Sequence, residues 1–186
     1  MPILGIFASS RLTAPATAYE SIATTTVGSG GTSNIIFSSI PSTYTHLQIR
    51  GIARCTASTS DIDLYMQFNS DTGNNYNWHF VYGDGGSAAT SSGVPADYID
   101  TLRTTGASST ANRFGAGVID ILDYTNTNKF TTARILTGQD QNGSGLVIFT
   151  SGAWRNTAAI TSIKFYYPTG SIAENSQLAL YGIKGA

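Results

Sequence analysis

Asp61-Ile-Asp-Leu-Tyr-Met-Gln-Phe-Asn69 decides the fold class. Ile62, Leu64, Met66 and Phe68 alternate with Asp61, Asp63, Tyr65, Gln67 and Asn69. An apolar side chain at every second position marks a strand with one buried face. On either side of this stretch the same alternation recurs. Leu47, Ile49 and Gly51 alternate with Gln48, Arg50 and Ile52, which places a strand over 45–55. Further strands are expected over 19–27, 33–38, 75–82, 115–124, 130–138, 145–151, 159–167 and 176–183.

Turn chemistry separates these segments. Gly28-Ser-Gly-Gly-Thr-Ser33, Asp71-Thr-Gly-Asn-Asn75, Thr125-Asn-Thr-Asn128 and Gln141-Asn-Gly-Ser-Gly145 are rich in residues that accept positive φ or bond the nearby backbone. Short strands at this spacing, with no long helical pattern between them, predict an all-β chain. The expected architecture is an antiparallel β-sandwich of the jelly-roll type. Residues 15–186 form its single domain, preceded by an extended apolar N-terminal arm over 1–14. The exception to the strand pattern is 83–113. Gly83–Gly93 reads as a long surface loop and Pro95–Arg103 as one or two helical turns with Pro near the start. Loops of that length are uncommon unless they serve a function.

Composition agrees with β structure. Among 186 residues there are 21 Ser and 25 Thr, 20 Gly and 11 Asn, but two Glu and three Lys. Helix-building polar residues are scarce while Thr, Ile, Tyr and Phe are abundant. A hydrophobic content of 41% and 20 aromatic residues argue against disorder. The net charge of −1 leaves no electrostatic footprint for nucleic acid or an anionic membrane. No apolar run approaches the about 18 residues of a membrane span. The start Met1–Arg11 lacks the basic, apolar, small-residue order of a signal peptide and reads as part of the mature chain. One cysteine, Cys55, allows no internal disulfide.

Catalytic and metal signals are weak. His46 and His79 have no ligand-spaced partner, and no nucleophile-elbow motif occurs. Asp61 and Asp63 share one strand face and are expected to be solvated, although paired carboxylates also serve glycosidases. Calcium on Asp61, Asp63 and Asp71 lacks the loop motif that would support it. The glycine-rich stretches match no phosphate-binding pattern. No enzyme activity and no cofactor are therefore expected. The aromatic residues Tyr76, Trp78, Phe80 and Tyr82 fall on one face of a strand. Core is the plainer reading, and an exposed contact at Tyr76, Trp78 and Trp154 is the functional one. Seven Arg against three Lys fits interfaces better than open surface. Ile3, Leu4, Ile6 and Phe7 concentrate large apolar side chains in the arm, which either docks on its own sandwich or anchors on another chain.

Three segments resemble a group of tailed-bacteriophage virion proteins. They are MPILGIFASSRLTAPATAYESIATTTVGSGG, FSSIPSTYTHLQIRGIAR at 37–54 and SQLALYGIKG at 176–185. In that group an apolar start leads into YESIATxTV, and a SIPxTYTHLQIR strand and a closing LYGIK strand follow. The resemblance covers both ends and implies one unit. It implies a non-enzymatic structural role in the virion, either as a capsid decoration (cement) protein or as a tail-fibre or receptor-binding module that contacts host-surface glycan. For the first, the implied partners are the major capsid protein and further copies of the chain as a homotrimer, on the outer surface of the head, with the arm as anchor. For the second, the location is the tail. A carbohydrate-active enzyme on the same scaffold is the third reading.

Overall fold

Strands account for most of residues 18–185, the part of the chain that the computed structural model describes. The apolar arm with Ile3, Leu4, Ile6 and Phe7 lies outside the described residues. The strands are β1 (Tyr19–Thr26), β2 (Asn34–Phe37), β3 (His46–Ala53), β4 (Asp61–Phe68), β5 (Tyr76–Gly83) and β6 (Ala88–Ala96), followed by β7 (Ile99–Thr105), β8 (Gly115–Leu122), β9 (Thr131–Asp140), β10 (Gly145–Trp154), β11 (Ile163–Tyr166) and β12 (Gln177–Ile183). They form two antiparallel sheets that pack as a sandwich. The long sheet has the order β1-β12-β3-β8-β9-β10-β5-β6, and the short sheet β2-β11-β4-β7.

Alternation supplies the core. Leu47 and Ile49 from β3, Ile119 and Ile121 from β8, Ile135 from β9 and Leu178 and Leu180 from β12 point inward from the long sheet. Ile35, Phe37, Leu64, Met66, Phe68, Ile163 and Phe165 meet them from the short sheet. Each such side chain contributes about 1.5–3 kcal/mol when it leaves water. Close approach of the layers is enforced where glycines face large residues. A Cβ on Gly152 would stand 2.5 Å from Ile99, and one on Gly51 or Gly117 would meet Leu102 at 2.7 and 2.6 Å. The β9–β10 hairpin turns through Asn142 and Gly143, both at positive φ (58° and 111°), with Gln141 N–H donating to the Ser144 carbonyl. Two central residues at positive φ match the twist of the flanking strands.

The ten strands expected from alternation are present, but the loop expected over 83–93 and the helical turns over 95–103 are largely replaced by strands, and the one long irregular stretch there is 106–113. Ala88–Ala96 is β6, and Ile99–Thr105 is β7. In β7 the register slips against β4: Asp63 faces Arg103 while Tyr65 faces Asp100. Two steps on one strand thus oppose three on the other, a β-bulge. The bulge puts Ile99 and Leu102, three apart, on the same buried side. That spacing mimics a helical face.

The eight-stranded sheet extends past its partner. The hairpins β9–β10 and β5–β6 continue it beyond β8, and the edge strand β7 lies over their inner face. The base of this extension is clamped. Trp154, at the end of β10, donates from Nε1 to Asp71 Oδ2 at 2.8 Å and packs beside Phe68 and Tyr76. The Asp71 carboxylate also accepts from Gly73 N–H and from Asn75 Nδ2. Tyr76 Oη donates to the Asp71 carbonyl and accepts from Phe68 N–H.

Candidate functional site

Two surfaces stand out, one on each side of the extension. The first is the outward face of the long sheet. Cross-strand pairing aligns Ala179, Arg50, Val118, Leu136, Phe149, Val81 and Thr90 in one row. The next row is Gln177, Ile52, Ala116, Gly138, Val147, Gly83 and Ala88. Ile52, Val81, Leu136, Val147 and Phe149 are between 45 and 62% exposed. The small residues of the second row leave a shallow depression of about 650 Å³ between Ile52, Leu136 and Val147. Contiguous exposed apolar area of this kind marks contact surfaces.

A polar border flanks it. Tyr181, Gln48, Asp120, Arg134, Ser151 and His79 form the adjoining row. Gln48 Nε2 donates to Asp120 Oδ1 at 2.8 Å, and Arg134 stands 3.7 Å from Asp120. Arg50 lies over the rings of Tyr19 and Tyr181, which stack at 4.8 Å. The guanidinium thus serves as a cation–π partner for both rings.

The second surface lies at the corner where β7 crosses the extension. Arg103 bridges Asp61 at 3.1 Å and Asp63 at 2.5 Å. Burial raises the Asp63 pKa, while Arg103 works against the rise. Asp100 is the third carboxyl of the group. Burial first, and the neighbouring Asp63 charge second, push it up to about 8. Burial weakens the Arg103 charge, but Asp63 and Asp61 more than offset it and hold the guanidinium ionised. Asp100 Oδ1, Arg103 Nε, Trp78 Nε1 and Asn77 Oδ1 are buried without a hydrogen-bond partner. Each unmet buried polar atom costs about 1–3 kcal/mol.

The residues singled out from sequence fall elsewhere than the exposed contact reading required. Tyr76, Trp78 and Trp154 are core, 0, 8 and 1% exposed. The reason is their parity: Tyr76 and Trp78 share the inward face of β5, and Trp154 pairs opposite Tyr76. Asp61 and Asp63 are not freely solvated, because the bulged β7 brings Arg103 against them. Asp71 serves Trp154 and Asn75, so the three aspartates considered for calcium are engaged at two separate places. Among the described residues, no group of three or more His, Cys, Asp or Glu is placed to hold a metal ion. His46 Nδ1 accepts from the Asp123 N–H, and His79 is exposed on the outer face. Cys55 is fully buried, and burial pushes its thiol pKa up. Asp100 and Tyr98 were hidden by the helical reading of 95–103, while Leu136, Val147 and Phe149 were not singled out within the expected strands 130–138 and 145–151.

No protein-family model, curated protein or solved structure matches the chain.

Proposed function

We propose that this chain is a non-enzymatic structural component of a tailed-bacteriophage virion, and within it a capsid decoration protein on the outer surface of the head. The observation that carries the reading is the outward face of the long sheet. Five large apolar side chains stand about half exposed in adjoining register positions, on a chain with very few charges. Such a face gains free energy by burial in an assembly.

The strand order supports the jelly-roll form of the sandwich. With the hairpin strands β5, β6, β9 and β10 set aside, the remaining strands in chain order give 1-8-3-6 in one sheet and 2-7-4-5 in the other. That is a double Greek key with two hairpins inserted, both joined to the same sheet. The fold alone hosts many functions, so the role rests on the surface. In this reading the partner is the major capsid protein, the copies associate as a homotrimer, and Ile3, Leu4, Ile6 and Phe7 anchor each copy. Three linked anchors convert weak single contacts into durable attachment.

The test is co-sedimentation with empty, undecorated heads. The full-length chain, a version lacking residues 1–10 and a Leu136→Asp/Phe149→Asp variant are compared. Saturable binding by the full chain, lost in both altered forms, is expected. Absence of binding to heads overturns the decoration role and moves the chain to the tail. That alternative, a fibre or receptor-binding module facing a host glycan, is favoured by the partly exposed rings of Tyr65, Tyr98 and Tyr166, where Tyr65 stacks on Tyr98 at 3.6 Å and meets Tyr166 edge to face at 5.8 Å. Light scattering that returns a monomer at working concentration overturns the trimer.

A further inference from the structure

The depression on the outward face of the long sheet continues into a second one. That second hollow, of about 590 Å³, shares Ala116, Gly138 and Val147 with the first. Together they form one groove from Gln177 on β12 to Asp84, just past β5, at the tips of the hairpins β5–β6 and β9–β10. Five strand steps separate its ends, about 24 Å. The groove has a chemical direction. Arg50 and Tyr181 line the β12 end, Ile52, Leu136 and Val147 the middle, and Asp84 and Asp140 the far end. Asp140 accepts from Asn142 N–H, and Asp84 from the N–H groups of Gly86 and Ser87 and from the Ser87 hydroxyl. Those bonds hold the Asp84 carboxyl below its usual range, so it is charged at neutral pH. Among the described residues, no cation pairs with either carboxylate.

The sequence ahead of the described residues complements this groove. Ile3, Leu4, Ile6 and Phe7 are followed by Ala8, Ser9, Ser10 and Arg11. Extended, Ile3 to Arg11 covers roughly 26 Å, against about 24 Å for the groove. With Arg11 set at Asp84 and Asp140, the same spacing brings Phe7 over Gly138 and Ala116, where small residues leave the floor low, and Ile3 to Gln177. Apolar side chains then leave water, and a guanidinium meets two carboxylates. The reversed seat puts Arg11 beside Arg50 and leaves both carboxylates unpaired.

Reach decides which copy supplies the segment. The links from Arg11 to Ala18 extend at most about 25 Å. In the chain's own sheet six strand steps, about 29 Å, separate β1 from β5. Ala18 also lies towards the opposite end of the strands, since Tyr19 pairs with Ile183 while the groove crosses β12 at Gln177. A chain therefore cannot set its own Arg11 over Asp84. We infer that residues 3–11 of a second copy seat in this groove, with Phe7 over Gly138 and Arg11 at Asp84 and Asp140. The inference rests on the association of copies proposed above and names what joins them. Phe149 and Val81 line neither hollow and stay open to the head.

Light and heavy-nitrogen forms of an Ala8→Cys/Val147→Cys chain are mixed in denaturant, refolded together and treated with a short bismaleimide. Cys55 is fully buried and stays out of reach of the reagent. Links between positions 8 and 147 are expected, and about half of them should join a light peptide to a heavy one, the statistical share when each link crosses between copies. Ala8→Cys with Ser151→Cys, on the polar border of the same face, should give few links. Arg11→Glu should weaken the association of copies roughly fivefold by sedimentation equilibrium, equal to about 1 kcal/mol, and Asp84→Lys/Asp140→Lys should restore it. Links confined to peptides of one label assign the groove to the chain's own arm and overturn the inference. Absence of 8–147 links, equal linkage to position 151, or association untouched by Arg11→Glu overturns it as well. No head enters this assay, so failure of arm exchange and failure of head binding are told apart.

Discussion

Trp154→Phe tests whether the clamp at the base of the sheet extension works as described. Trp154 is fully buried between Phe68 and Tyr76, and its indole N–H meets a carboxylate oxygen of Asp71 at 2.8 Å. A hydrogen bond to a charged group contributes about 1.5–3 kcal/mol, and partial exposure of Asp71 sets the lower end here. The ring atoms lost and the space they leave add roughly 1–2 kcal/mol. The variant is therefore expected to lose about 3 kcal/mol. Asp71→Ala removes the same bond from the other side, so the double variant should show a coupling of about 1–2 kcal/mol. The assay is guanidinium unfolding of all four proteins with the slope held common. Acid dependence supplies a second reading. Burial raises the Asp71 pKa, but the bonds from Trp154, Asn75 and Gly73 N–H outweigh it and leave the group below its ordinary value. A depressed folded pKa means stability present above the ordinary carboxyl range and lost as pH falls through the folded value. That acid limb should flatten in Trp154→Phe. A coupling under about 0.5 kcal/mol, within the additivity error of independent sites, refutes the clamp.

Other outcomes follow from the same geometry. Asp100 sits at about 8, so the folded state holds a proton that the unfolded chain releases. Stability should fall as pH rises from about 4 to about 8, and Asp100→Asn should remove that slope, as read from melting temperatures across the range. A flat wild-type profile dismisses the assignment. Phe149→Ser should leave monomer stability within about 0.5 kcal/mol while weakening head binding, because the ring is half exposed in the free chain. Gly152→Val should destabilise by about 1–3 kcal/mol, since its Cβ meets Ile99 and neither layer has room to yield. An unchanged unfolding midpoint for this variant refutes the close approach of the sheets there.

Alternation made β4 and its neighbours legible because each buries one face against a second layer. It failed at β6 for a physical reason. Ala88–Ala96 is an edge strand whose residues are mostly exposed, so no apolar period was needed or present. Many edges of this kind are kept short or interrupted, and Pro95 near the end of β6 fits that habit. It failed at β7 because the bulge turned a period of two into a spacing of three. Site legibility followed the same lines. Asp61 and Asp63 were visible as a pair, but their partner Arg103 and the third carboxyl Asp100 lay on the misread strand. Leu136, Val147 and Phe149 carried no signal of their own, because a sequence does not say which sheet is wider than its partner.

That width has a mechanical consequence. Strands spaced about 4.8 Å apart and about eight residues long make the outer face roughly 34 Å by 26 Å, close to one side of a standard protein interface. Neighbouring strands are rotated by about 20–25°. The apolar stretch from Ile52 on β3 to Val81 on β5 crosses four such steps. Torsion therefore builds to roughly a right angle from one end of the stretch to the other. A rigid, flat partner can touch only a portion of such a surface. An extended chain segment can bend as it crosses the strands and follow the twist from end to end.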